Sequence, residues 1–218
     1  MAVAEEVAAG SQSEEAYRRI LERIVSLEMR PGSVVNEARL REELQIGRTP
    51  IREALQRLAR ENFVRCVPHR GTFVTDVNIT DLARITEVRV VLEAHAARLA
   101  AEKLSKTDRQ SIEGLLDLLR GTVSNQRELM SLDQLVHRTI HRAARNPFLE
   151  ATLERYFNLS LRLWYLVLDH EVRLREAVDE HVELLQAILA GDGDLAETIM
   201  RKHVTGFEHE IRKHLVER

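Results

Sequence analysis

The sequence predicts a mainly α protein in two parts: a winged helix-turn-helix over residues 12–76 and an all-α helical bundle over residues 80–214. Three observations predict it. Only 9 Gly and 4 Pro punctuate 218 residues, and Leu, Ala, Glu and Arg, all good helix formers, dominate. Between residues 16 and 75, three short helical patterns precede two short runs rich in β-branched and aromatic residues. From about residue 80, apolar positions recur at helical spacing almost to the end. An apolar fraction of 44% is enough for a core in each part.

The first segment, MAVAEEVAAGSQSEE, has no basic stretch ahead of an apolar core, so it is not a signal peptide. Residues 1–11 are expected to be a disordered N-terminus. No stretch approaches the ~20 apolar residues of a membrane span, so no membrane partner is expected. The one cysteine, Cys66, excludes an internal disulfide and a multi-cysteine zinc site. A reducing, cytoplasmic setting fits that usage.

From Ala16, the positions Tyr17, Ile20, Leu21 and Ile24 mark one helix, stopped by Arg30-Pro31-Gly32. A short second helix is expected from Glu37 to Leu44. A third begins near Thr49, with Pro50 where its missing N–H costs little. On that helix Ile51, Ala54, Leu55 and Leu58 share one face, while Thr49, Arg52 and Gln56 share the other, with Arg48 at the entry. Arginines, a hydroxyl and an amide are the groups that read phosphates and base edges in a major groove. Phe63–Val67 and Thr72–Thr75 read as two strands joined by a turn at Pro68-His69-Arg70-Gly71. Three helices and a basic hairpin are the order of a winged helix. The charge bias is local: residues 39–70 hold eight Arg against four Glu, while the whole chain carries −3. A basic patch on an acidic protein is an electrostatic footprint for nucleic acid.

The second part reads as helices over about 78–104, 107–124, 128–145, 147–169, 171–190 and 194–216, with breaks at Asn146-Pro147 and at Gly191-Asp192-Gly193-Asp194. Asn78 or Thr80 is a candidate cap for the first of these, and Thr107-Asp108 for the second. Asp133 and His137 form D-x-x-x-H, a spacing that puts both on one helix face with Met130, Ile140 and Ala144. His181 shares a face with Val178, Leu184, Leu185 and Ile188, and His203 with Ala196, Ile199, Met200 and Phe207. Three helices therefore aim a ligand-type residue inward. Buried imidazole is costly unless something satisfies it, and one metal ion would satisfy all four groups. Asp133, His137, His181 and His203 suit one divalent ion per chain: zinc first, with nickel, manganese or iron as alternatives, and positions left for water or an acid. His141 falls on the face of His137 and is the rival ligand. Any one of these histidines alone reads better as a core residue bonded to a carbonyl or carboxylate. His95, His170, His209 and His214 match no such pattern and read as surface or local contacts.

Arg89 lies on an apolar helix face with Leu82, Ile85, Leu92 and Ala96. Arginine is almost never buried without a partner. Two readings stand level: an internal pair with Glu93, or an anchor for the carboxylate of a ligand. Two other functions remain in view. A metalloenzyme would use the open metal positions to activate water, but no base is evident beside the motif and no E-x-x-H occurs. A helical interaction module would use the histidines structurally.

The run LEMRPGSVVNEARLREELQIGRTPIREALQRLARENFVRCVPHRGTFV, residues 27–74, resembles the N-terminal pattern of the GntR superfamily of bacterial regulators, most specifically in RTPIREAL and PHRGTFV. The resemblance implies that Arg48, Thr49 and Arg52 touch DNA from the recognition helix. It also implies that His69, Arg70 and Gly71 form the wing tip and that Arg39 or Arg41 lies near phosphate. Gln45 and Asn62 stand where that pattern carries Gly, so both positions need a left-handed backbone; Gly47 replaces the usual Ser or Thr helix cap. EVRVVLEAHAARLAA (87–101), D-x-x-x-H (133–137), NPFL (146–149), EHVELLQAILAGD (180–192) and A-x-x-x-M-x-x-H (196–203) resemble the FCD-type effector domain of the FadR-like branch. That resemblance implies a divalent metal on Asp133, His137, His181 and His203 and a small carboxylate effector beside it, with Arg89 as partner. Val136 stands where many relatives have Phe.

The expected function is a ligand-responsive transcriptional repressor, not an enzyme. It would bind a palindromic double-stranded DNA operator as a homodimer, with recognition helices roughly 34 Å apart.

Overall fold

The computed structural model describes residues 2–121, 125–167 and 174–216. The chain divides into two compact units, Met1–Asn78 and Ile79–Arg218.

In the first unit, α1 (Ala2–Val25), α2 (Glu37–Leu44) and α3 (Arg48–Arg60) precede a hairpin of β1 (Val64–Val67) and β2 (Gly71–Val74). α1 spans Ala2–Val25, so it extends ahead of Ala16, where its apolar pattern begins. Its leading residues are mostly Ala and Glu, which propagate a helix backward from the apolar face. That face buries Ala16, Ile20 and Ile24 against α3, which returns Ile51, Ala54, Leu55 and Leu58. Each large apolar side chain so buried contributes roughly 1.5–3 kcal/mol. At the edge of this contact Tyr17 donates its hydroxyl to Glu61 Oε2 at 2.6 Å, and the Arg57 guanidinium lies 3.6 Å from the Tyr17 ring centroid.

α2 has the expected bounds because Asn36 caps it: its side chain accepts the Arg39 N–H at 3.0 Å. Gln45 ends it in the left-handed region at φ 58°, and Asn62 takes φ 68° before β1. Both positions thus adopt the backbone that their usual glycine supplies without a steric cost. Asn tolerates this conformation better than Gln does. Gln45→Gly is therefore expected to stabilise the protein by about 0.5–1 kcal/mol, read as a higher midpoint in urea unfolding. An unchanged or lower midpoint would show that the bond from Gln45 Nε2 to Glu42 O, 2.7 Å, outweighs the strain.

The strands pair antiparallel, Val64 opposite Val74 and Val67 opposite Gly71, so Gly71 opens β2 instead of sitting in the turn. His69 at φ 59° makes the tight turn, and Gly71 at φ 101° starts the returning strand.

The second unit is all helical: α4 (Ile79–Glu102), α5 (Lys106–Arg120), α6 (Gln126–Ala143), α7 (Pro147–Val167), α8 (Leu174–Ala190) and α9 (Gly193–Val216). α4 packs against α6, α7, α8 and α9. Ala94, Ala96, Ala97, Ala100 and Ala101 are all buried on α4, and small side chains let neighbouring helices approach closely. α4 starts one residue after Asn78. α5 starts at Lys106, one residue before the expected Thr107, and is described to Arg120; the expected end at Ser124 lies outside the described residues. Ser105 and Asp108 form a capping box, so Asp108 serves as the third helical residue and not as the cap. The expected end of α7 at Asp169, the expected start of α8 at Glu171, and His170 also fall outside the described residues. Asn146 caps α7 through Oδ1, which accepts the Phe148 and Leu149 N–H groups at 3.2 Å. Gly191 at φ 75° closes α8, and the Asp192 side chain then accepts the Leu195 N–H at 3.0 Å to open α9. Among the described residues no helix is long and apolar enough to cross a membrane.

Candidate metal centre and nucleic-acid face

In the first unit, Arg39, Arg41, Arg48, Thr49, Arg52, Gln56, His69, Arg70 and Gly71 are all exposed. The buried residues of α3 lie on the opposite face, as the sequence pattern required. Gly47 leaves the start of α3 without a side-chain cap, so its first N–H groups are not filled by a capping side chain. Two arginines make internal contacts. Arg39 Nε donates to Glu43 Oε1 at 2.6 Å, and Arg52 Nε donates to Glu37 Oε2 at 3.3 Å with its side chain still 55% exposed. Exposed pairs of this kind hold little energy and yield easily to a phosphate or a base.

In the second unit, α6 contributes Asp133 and His137, α8 His181 and α9 His203. Their donor atoms all lie within 4.8 Å of one another. Asp133 Oδ1 stands 3.7 Å from His137 Nε2, 3.5 Å from His181 Nε2 and 3.9 Å from His203 Nε2. The three rings are buried, while the Asp133 side chain keeps 15% exposure on the solvent side.

Hydrogen bonds at the far side of two rings fix how they face the centre. His137 Nδ1–H donates to Glu93 Oε2 at 2.5 Å, and His203 Nδ1–H donates to Glu180 Oε2 at 3.0 Å. A neutral imidazole that donates through Nδ1 presents a lone pair at Nε2. Yet the two Nε2 atoms lie 3.2 Å apart. Two lone pairs at that distance repel, and a cation between them removes the conflict. His181 Nε2, fully buried, has no hydrogen-bond partner among the described residues. Burial lowers the pKa of the His137 imidazole, so a proton there is a poor candidate for that cation, and burial, with His203 and His137 nearby, holds His181 well below its usual value too. Donors at about 2.1 Å from one ion stand about 3.0–3.4 Å apart, near the separations observed. Three imidazoles and a carboxylate fit a divalent ion such as zinc.

His141 does not join this set. It lies on the other side of His137, with Nε2 3.5 Å from Glu93 Oε2. Glu93, His137 and His141 also cluster, but the 2.5 Å between Glu93 and His137 is a proton-bridged distance, shorter than two ligands of one ion adopt. Glu93 is wholly buried. Burial pushes its carboxyl up, but Arg89 and His137 outweigh that, and it stays ionised, well below the usual range.

Family models match both units: the gntR family of bacterial regulatory proteins over residues 12–74, and the FCD domain over residues 84–206, more than half the chain. The chain belongs to the GntR family of bacterial regulators that carry an FCD domain. The regulator is 23% identical over 203 residues to the HTH-type transcriptional repressor RspR of Escherichia coli K12, across 92% of this chain and 89% of that one. It is 29% identical over 182 residues to a probable D-xylose utilization operon transcriptional repressor of Paenarthrobacter nicotinovorans, covering 81% and 78% of the two chains. In fold it is similar to E. coli McbR/YncC, with TM-score 0.79, 21% identity and 93% and 97% coverage. A metal-free FCD domain, TM0439, aligns with TM-score 0.54 and 22% identity, over 65% of this chain and 98% of that one. The regulator is thus a DNA-binding transcription factor by family; of the relatives named, RspR is a repressor and the Paenarthrobacter protein a probable one.

Arg89 makes the internal pair: its Nε donates to Glu93 Oε1 at 2.6 Å, and its Nη1 donates to Ser160 Oγ at 2.8 Å. Its guanidinium also lies 5.2 Å from the Phe157 and Phe207 ring centroids. His95 and His209 are exposed, and His214 lies 3.8 Å from Glu210. By sequence alone no base is evident beside the D-x-x-x-H motif. The regulator has two carboxylates there, Glu93 from α4 and Glu180 from α8, each bonded to a ligand-type ring. Glu93 was legible only as the partner of Arg89. Its bond to His137 spans 44 residues, and no local spacing signals it.

Proposed function

We propose that the regulator is a metal-dependent, effector-responsive repressor acting in the cytoplasm. Asp133, His137, His181 and His203 hold one divalent ion, zinc first among nickel, manganese and iron. The observation that carries this reading is the convergence of two Nδ1-tethered imidazoles, one orphaned buried imidazole and one carboxylate on a single point. When bound, the ion supplies a positive platform for the oxygens of a small carboxylate effector, beside Arg89.

A homodimer places two recognition helices in successive major grooves of a palindromic operator, roughly 34 Å apart. Arg48, Thr49, Arg52 and Gln56 read bases and phosphates from α3. His69, Arg70 and Gly71 form the wing contact, and Arg39 and Arg41 face phosphate. The effector lowers operator affinity by binding one arrangement of the helical domain better than the other.

The test titrates metal-loaded protein into a DNA fragment from upstream of its own gene, with and without a panel of hydroxy and dicarboxylic acids. A several-fold loss of affinity with at least one acid, abolished by chelator, is the expected outcome. Affinity unmoved by every acid would end the sensor reading.

A further inference from the structure

We propose that Glu93 is the positioning residue of the metal centre: one carboxylate oxygen holds ligand His137 by its Nδ1–H, and the other fixes Arg89. The proposal rests on the metal reading above and adds a residue outside the four-donor set. Glu93 sits on α4, which supplies none of the four donors, and its side chain is wholly buried. Its Oε1 accepts from Arg89 Nε at 2.6 Å, and its Oε2 accepts from His137 Nδ1 at 2.5 Å. His141 Nε2 lies 3.5 Å from that same Oε2.

A simple buried ion pair needs only the Arg89 side of this arrangement. The second oxygen, aimed at His137, does something the pair does not require. A carboxylate on Nδ1–H locks the ring, sets the tautomer with its lone pair toward the centre, and raises the basicity of Nε2. Glu180 plays the matching part for His203 and, like Glu93, also meets a cation, Lys202 at 3.2 Å, but it is 28% exposed, so water dilutes its effect. Glu93, held by Arg89 and wholly buried, has no such screening by water. It also joins the centre to Arg89 and, through Arg89 Nη1, to Ser160 on α7. A shift of His137 on metal uptake is therefore passed to Arg89 through one rigid carboxylate.

The test measures Zn2+ affinity of the full-length protein by competition with a chromogenic chelator, and the visible spectrum of the Co2+ form. Glu93→Gln is expected to weaken Zn2+ binding about 10–100-fold and to shift the Co2+ bands, with Glu180→Gln weakening it less. Glu93→Gln strands the Arg89 charge and threatens folding, so Arg89→Gln/Glu93→Gln, which removes both charges of the pair, is measured beside it. The double variant is expected to lose the same affinity while keeping a cooperative melt. Zn2+ affinity within about twofold of wild type in the double variant would overturn the role of Glu93 and leave the metal reading standing. A wild-type protein that takes up no divalent ion would overturn both.

Discussion

Wild-type protein stripped of metal is expected to melt on the order of 10 °C below the same protein in saturating zinc, and His181→Ala is expected to erase that gap. A ligand that binds only the folded state at about 1,000 times its dissociation constant adds roughly 4 kcal/mol. At about 2–4 °C per kcal/mol for a protein of this size, the shift is easily read by calorimetry. His181 is the sharpest position for this test because its Nε2 is buried without a partner among the described residues. In the metal-free protein that nitrogen costs about 1–3 kcal/mol, so replacing it partly offsets the cavity the ring leaves behind. In the metal-loaded protein the same substitution removes a ligand. The variant is therefore separated from wild type chiefly in zinc and far less in chelator. Equal gaps for both proteins would remove His181 from the metal centre and return it to the role of a core histidine.

The four donors were legible because their signals are local. Asp133 and His137 are one helical turn apart, and His181 and His203 each interrupt an apolar stripe that has no other reason to carry imidazole. The partners that orient these rings were not legible as such. Glu93 belongs to a different helix from His137, and pairing across helices is set by packing, not by period. His141 shows the converse. Its spacing from His137 matches that of Asp133, yet it points past the centre toward Glu93, because four residues of helix move a side chain by a full turn along the axis. Boundaries followed the same rule. α2 was legible at both ends because Asn36 caps it and Gln45 terminates it. The cap of α5 was misplaced by two residues, Thr107 for Ser105, because Ser105-x-x-Asp108 and Thr107-Asp108 both resemble a helix start, and only the reciprocal bonds of the capping box decide between them.

Arg52→Ala is the substitution expected to do most harm to DNA recognition and least to the fold. Its side chain is 55% exposed, and its ion pair with Glu37 at 3.3 Å is a surface contact worth under about 1 kcal/mol. The melting curve should therefore stay within about 0.5 kcal/mol of wild type. An arginine that reads a guanine edge contributes about 1–3 kcal/mol of discrimination for each copy of the site. With two copies on the proposed two-fold operator, losing both leaves binding near the non-specific level, which salt governs. The measurement compares operator and scrambled DNA at two salt concentrations, alongside Gln56→Ala on the same face. Arg52→Ala should abolish the preference for operator, whereas loss of a phosphate contact would weaken both DNAs alike and flatten the salt slope. If operator preference survives, the reading face of α3 lies elsewhere on the helix, and Arg48 and Thr49 at its start become the residues to replace.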